Sequence, residues 1–182
     1  MPDSDQSSDL ATADPVSGGA TDDQIRTVDI VFDAQARTLG KMQNEVTVTS
    51  RFSNLTVTLQ TDEGKLHGGT GSAPMPIHYF AAGTVACLMT QVKAFAKRLR
   101  IPFDDIRMAA VFRWQLQQQG RDPYVAEPMG FDIDIEVDSD APADDIRRLI
   151  AAAKQGCFAE KALTQAVPIG HRLKVGDAWV EV

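Results

Sequence analysis

The chain has 182 residues, 43% hydrophobic and 24% charged, which suits one ordinary globular domain with a buried core. Its formal net charge is -7, but six aspartates between Met1 and Asp23, with no lysine or arginine among them, carry most of it and leave the body near -1. A near-neutral body without a basic run has no electrostatic footprint for nucleic acid or an anionic membrane, so both are excluded as expected partners.

Residues 1–24 are rich in Asp, Ser, Thr, Gly and Ala and hold almost no large apolar group, so they read as a disordered acidic tail ahead of a single domain at 25–182. No basic segment followed by an apolar stretch opens the chain, which points to a cytoplasmic location. Ile25, Val28, Ile30, Val31 and Phe32 suggest a strand or docking segment over Ile25–Phe32. Glu45–Arg51 and Leu55–Thr61 alternate β-branched and polar residues around Ser53-Asn54, the pattern of a β-hairpin.

His67–Pro76 carries three Gly and two Pro and must be a shaped loop. Pro76 suits a first helical position, and the Pro-free run to Leu99 predicts a long helix, apolar almost all round at first, with Lys93, Lys97, Arg98 and Arg100 at its C-terminal end. Its best apolar run, Phe80–Met89, is too short to cross a bilayer. Strands are predicted at Arg107–Gln117 and Met129–Val137, linked by Gly120–Pro128. Asp140, Pro142, Asp144 and Asp145 then mark a helix start, and Ile146, Leu149, Ile150 and Ala153 keep a helical period up to Gly156. Cys157 follows the stop, a short helix covers Phe158–Gln165, and His171–Val182 closes as a strand or hairpin.

On residues alone, the two cysteines in a reducing compartment are core hydrophobes, metal ligands or redox thiols. Cys87, flanked by Val85, Ala86 and Leu88, reads first as a buried small hydrophobe. His67, His78 and His171 show no ligand spacing, so no metal and no cofactor are expected.

The run Gly68-Gly69-Thr70-Gly71, then Pro76, then Phe80-Ala81-Ala82-Gly83-Thr84-Val85-Ala86-Cys87, resembles the signature of the OsmC/Ohr family. The later order of two strands, a helix, Cys157, a short helix and a closing strand is similar through to the end. The resemblance implies an α+β fold, with antiparallel sheets packed around a long central helix in an intertwined homodimer. It further implies a thiol-dependent peroxidase reducing organic hydroperoxides. Cys87 would become a sulfenic acid, Cys157 would resolve it as a disulfide, and a dithiol reductant, of the lipoylated-protein kind, would reopen the bond.

The family activates its thiol with an Arg held by a Glu. Arg51 is the best match for the Arg, but the Glu position after the signature proline holds Ile77. That departure keeps a second expectation open, a non-catalytic dimer of the same fold binding a small apolar ligand or partner. His78, beside the lost Glu, is a candidate stand-in acceptor or acid–base group, against a plain exposed N-terminal histidine. Tyr79 and Phe80, with His78, are candidate substrate-binding residues, since a peroxide tail buries its surface on apolar walls; for Phe80 the competing role is core or dimer packing.

Overall fold

The computed structural model describes residues 25–182, so the predicted acidic tail lies outside the described residues. An antiparallel three-stranded sheet comes first: β1 (Phe32–Thr38), β2 (Asn44–Ser50) and β3 (Thr56–Thr61), with Asp33 opposite Thr49 and Thr47 opposite Thr58. Threonines line one face of its β2–β3 half, where Thr47 and Thr49 share hydrogen bonds with Thr58 and Thr56. Residues 25–31 take no regular structure, so of the strand or docking segment expected at Ile25–Phe32 only Phe32 enters a strand, as the first residue of β1. Its alternation is Ala34 and Ala36 against Asp33, Gln35 and Arg37, a contrast too weak to mark a strand until β2 pairs with it.

A shaped loop containing a single 3-10 turn at Lys65–His67 leads into α1 (Pro76–Leu99), 24 residues and about 36 Å long at helical rise. Pro76 opens it because a first-turn residue needs no N–H partner. Arg100 ends it in the left-handed conformation, its N–H directed at the Ala96 and Lys97 carbonyls.

The hairpin of β4 (Asp105–Gln117) and β5 (Val125–Asp138) follows. Its inner face pairs Met108 with Ile135, Ala110 with Ile133 and Phe112 with Phe131, while Arg107 reaches Glu136 and Arg113 reaches Asp132 on the outer face. β5 starts four residues before the predicted Met129 and runs through Pro128. Each strand of a two-stranded sheet is an edge, so a proline is tolerated, and the register shift between Arg113 and Trp114 absorbs the irregularity. Next come α2 (Ala143–Gly156), α3 (Phe158–Thr164) and a closing hairpin of β6 (Arg172–Val175) and β7 (Ala178–Glu181).

The core is the seam between α1 and α2. Leu88, Val92 and Ala96 form a stripe at four-residue spacing on α1, and Leu149, Ala153 and Cys157 meet it, with Ile101 and Ile106 closing one end. The inner face of β4–β5 packs against this seam through Met108, Ile133, Ile135 and Val137. No helix among the described residues is long and apolar enough to cross a membrane.

Leu149 is fully buried, so Leu149→Ala is expected to cost about 2–5 kcal/mol in urea unfolding. Ile25→Ala, at a position 96% exposed, is expected to leave the midpoint unchanged.

Candidate active site

Two separate elements bring the cysteines together. Cys87 lies on α1 one residue before the core residue Leu88 and is half-buried. Cys157 joins α2 to α3, fully buried, and both thiols are free. Gly156 permits this approach: a Cβ there would stand 2.6 Å from the Phe95 ring, so a larger residue would push the end of α2 off α1. Beside Cys87 the space is open at Gly83, where an added Cβ would meet nothing within 4 Å.

Cys157 caps α3, its Sγ accepting the Glu160 backbone N–H at 3.5 Å. Burial pushes its thiol above the usual range, and the neighbouring Cys87, through a side-chain hydrogen bond and its charge, pushes the same way; the Glu160 and Ala159 N–H groups pull against them. At neutral pH, Cys157 is therefore a poor nucleophile until a reaction partner forms beside it.

The Gly-Gly loop is held by a residue that the sequence reading passed over. Asp62, immediately after β3, is 1% exposed. Its carboxylate accepts from the Glu63, Thr70 and Ser72 N–H groups and from the Thr70 and Ser72 hydroxyls, at 2.7–3.1 Å. These bonds, the Thr70 hydroxyl first, hold its carboxyl far below the usual carboxylate range. Gly69 is the residue that lets the loop close, because a Cβ there would fall 1.9 Å from the Glu63 carbonyl oxygen. The legible signal was an Asp followed by Thr and Ser inside a glycine-rich loop.

The other candidates stand elsewhere in the chain. Arg51, in the β2–β3 turn, binds Asp33 of β1 with a two-point fork, Nε to Oδ2 and Nη2 to Oδ1, both 2.6 Å. The hydrogen bond raises the guanidinium and lowers the Asp33 carboxyl. No hydrogen bond or ion pair among the described residues joins Arg51 to either cysteine within the chain. His78 turns its Nδ1 back to accept the Met75 N–H at 3.1 Å, so within this chain it caps α1. Tyr79 donates its hydroxyl to the Gln60 carbonyl at 2.9 Å, tying α1 to β3. Phe80 joins Phe112, Trp114 and Phe131 in an aromatic cluster with centroids 4.8–6.1 Å apart. Ile77 is 42% exposed, an apolar side chain at the mouth of α1. Among the described residues no group of three or more His, Cys, Asp or Glu side chains gathers to hold a metal.

A protein-family model, that of the OsmC-like protein, matches residues 69–172, more than half of the chain. The chain belongs to the OsmC-like family. It is similar to a solved OsmC-like hydroperoxide resistance protein from Jannaschia sp. CCS1, at 40% identity over 84% of this chain and 98% of that one, with a TM-score of 0.58. An OsmC-like protein from Mycoplasma pneumoniae shares the fold at 15% identity, over 75% of this chain and 89% of its own, with a TM-score of 0.55. So does an organic hydroperoxide resistance protein from Elizabethkingia anophelis, solved with thiocyanate bound, at 20% identity over 76% and 90% and a TM-score of 0.51. No curated protein matches the chain. The family match covers the Gly-Gly loop from Gly69, both cysteines and α1 to α3, and stops short of β1 to β3, where Arg51 lies.

Two outcomes follow. Iodoacetamide at pH 7 is expected to label Cys87 well before Cys157, read by peptide mass mapping, since Cys157 is both sealed and raised. Because the Asp62 carboxyl is depressed in the fold, its stabilisation is complete above its unfolded value near ~3.9 and is lost as pH falls toward the lower folded value. The stability gap between wild type and Asp62→Asn should therefore be constant above about pH 5 and shrink below about pH 4 in denaturant titrations.

Proposed function

We propose that the protein is a thiol-dependent peroxidase that reduces organic hydroperoxides. The observation carrying this reading is the placement of Cys87, half-exposed beside open space, against the sealed thiol of Cys157. The 40% identical Jannaschia relative is a hydroperoxide resistance protein, which supports the same reading. The Cys87 thiolate attacks the distal oxygen of ROOH, the O–O bond breaks, and the alcohol ROH leaves with a proton from the medium. Cys87 is then a sulfenic acid. Cys157, giving up its proton, attacks that sulfur; the disulfide forms and hydroxide leaves to become water. An external dithiol, of the lipoyl kind, returns both thiols by exchange and is itself oxidised.

The working unit we propose is a homodimer. Phe52 and Leu55 in the β2–β3 turn, Val57 on β3, and Trp114 and Met129 on the β4–β5 hairpin are all exposed, more apolar surface than a soluble monomer presents. The first sheet alone bears a depression of roughly 570 Å3 lined by Ile30, Phe32, Val48, Phe52 and Leu55, among others. In the dimer, Arg51 of the partner subunit supplies the activating cation, and Asp33 serves as the carboxylate holding it, in place of the acceptor that Ile77 cannot be. A nearby opposite charge lowers a thiol's pKa by roughly 1–3 units, a ten- to thousand-fold change in its acid dissociation constant, which takes a few per cent of thiolate at neutral pH toward full ionisation.

A second reading rests on Ile77: without an acceptor at that position, the protein is a non-catalytic dimer that binds a small apolar ligand. One experiment separates them. Reduced protein is mixed with one equivalent of cumene hydroperoxide, and free thiols and residual peroxide are counted. The peroxidase reading expects both thiols lost in wild type, none in Cys87→Ser, and a single dimedone-reactive sulfenic acid in Cys157→Ser. Arg51→Lys and Asp33→Asn should both slow the reaction and shift its pH profile upward, because neither keeps the two-point fork. Wild-type thiols surviving alongside unreacted peroxide would leave the second reading standing.

A further inference from the structure

Beyond Cys87, one polar side chain interrupts the seam between α1 and α2, and it is Gln91. The α1 side chains that lie in the core or pack against it over that stretch are Leu88, Met89, Val92, Phe95, Ala96 and Leu99, all apolar. Gln91 is half-buried among them, four residues after Cys87 and so on the same side of the helix, where the Cβ atoms of such a pair stand about 5–6 Å apart. A long helical side chain leans back over the preceding turn, here the turn that holds Cys87. On its other side Gln91 meets the end of α2: a Cβ built at Gly156 would stand 3.4 Å from the Gln91 Oε1, and the next residue is Cys157.

The carboxamide lies between the turn that carries one thiol and the residue before the other, and it is uncommitted. Among the described residues, the side-chain hydrogen bonds of α1 beyond its first turn are those of Thr84 and Thr90, given to the Phe80 and Ala86 carbonyls of the same helix at 2.8 and 2.9 Å. Gln91 makes none. A glutamine in an apolar seam loses part of its hydration and its rotamer freedom, and here no hydrogen bond offsets the loss. Methionine, equally unbranched, would pack there without that cost. The two N–H donors of the carboxamide are spare while both cysteines are reduced, and oxidation of Cys87 creates an acceptor beside them.

We infer that Gln91 is a catalytic residue of the resolving step, its carboxamide N–H donating to the oxygen of the Cys87 sulfenic acid; the assignment rests on the peroxidase reading. In that step the Cys157 thiol loses its proton to the medium and its sulfur attacks the Cys87 sulfur. The S–O bond breaks, the disulfide forms, and hydroxide departs to become water. Negative charge grows on the departing oxygen, and the carboxamide, which neither gains nor loses a proton, stabilises it as a fixed donor stabilises any developing oxyanion. In the earlier step the charge grows on the alkoxide instead, beyond the transferred oxygen and in line with it, out of reach of a donor beside the sulfur. The two steps therefore differ in their need for Gln91.

The test times the two steps separately in the reduced full-length protein mixed with one equivalent of cumene hydroperoxide. Residual peroxide follows the first step; acid quenching at intervals, with the unreduced Cys87–Cys157 link mapped by mass spectrometry, follows the second, and the lag between them is the resolving time. Gln91→Met is expected to unfold in urea no earlier than wild type, because it removes only an unpartnered polar group from the seam. In it, peroxide should disappear within about twofold of the wild-type rate while the lag lengthens about ten- to a hundredfold, the worth of one hydrogen bond to a charged group. Dimedone should accordingly trap far more sulfenic acid in Gln91→Met than in wild type. Gln91→Glu, which keeps the shape but sets a carboxylate against the departing hydroxide, should resolve more slowly still. A lag of wild-type length in both variants would overturn the role of Gln91 and leave the peroxidase reading intact, and so would an equal slowing of both steps, the mark of a loosened seam. Wild-type protein that consumes no peroxide would overturn both.

Discussion

Close approach of two helices is the constraint on which the rest of this molecule depends. Leu88, Val92 and Ala96 give α1 a narrow apolar stripe, and Leu149, Ala153 and Cys157 give the α2 end a matching one, so every one of these residues is buried at or near completion. At Gly156 the approach is close enough that the residue faces Phe95 with no room for a side chain. A sulfur that follows such a glycine has little choice of position. It is delivered against α1, beside Cys87, and the desolvation that raises its thiol is the same burial that holds the helices together. Packing and chemistry therefore share atoms here, and a residue change that loosens the seam changes both.

A second tie sets the entry to α1. The Asp62 carboxylate gathers five hydrogen bonds from the loop that follows, and Tyr79 and His78 fasten the first turn of the helix to Gln60 and Met75. The loop is shaped by one buried charge compensated by donors, a cheaper arrangement than an apolar core in a segment with so few large side chains. With the entry fixed in this way, the register of the whole helix follows, and so does the height of Cys87 along it.

Much of this was legible because the signals were local. Pro76 and the absence of a second proline before Leu99 marked α1; Asp144, Asp145 and Gly156 bracketed α2; the spacing of the glycines, Pro76 and Cys87 carried the family. What escaped depended on partners distant in sequence. β1 has alanines where a strand usually shows valine or isoleucine, and only pairing with β2 defines it. Asp62 looks like any turn aspartate until Thr70 and Ser72 fold over it. Arg51 was legible as a cation of interest, whereas its fork with Asp33 crosses a strand pair that the sequence reading did not contain.

The central claim is that Cys87 and Cys157 of one chain face each other in the folded protein, and a chemical cross-link tests it independently of any peroxide chemistry. Native reduced protein would be treated with one equivalent of diamide, digested without reduction and mapped by mass spectrometry. The account predicts one intrachain link between the Cys87 and Cys157 peptides, formed in native buffer, suppressed in urea and weakened by Gly156→Leu. Links between chains, or two thiols left free in the folded state, would contradict it.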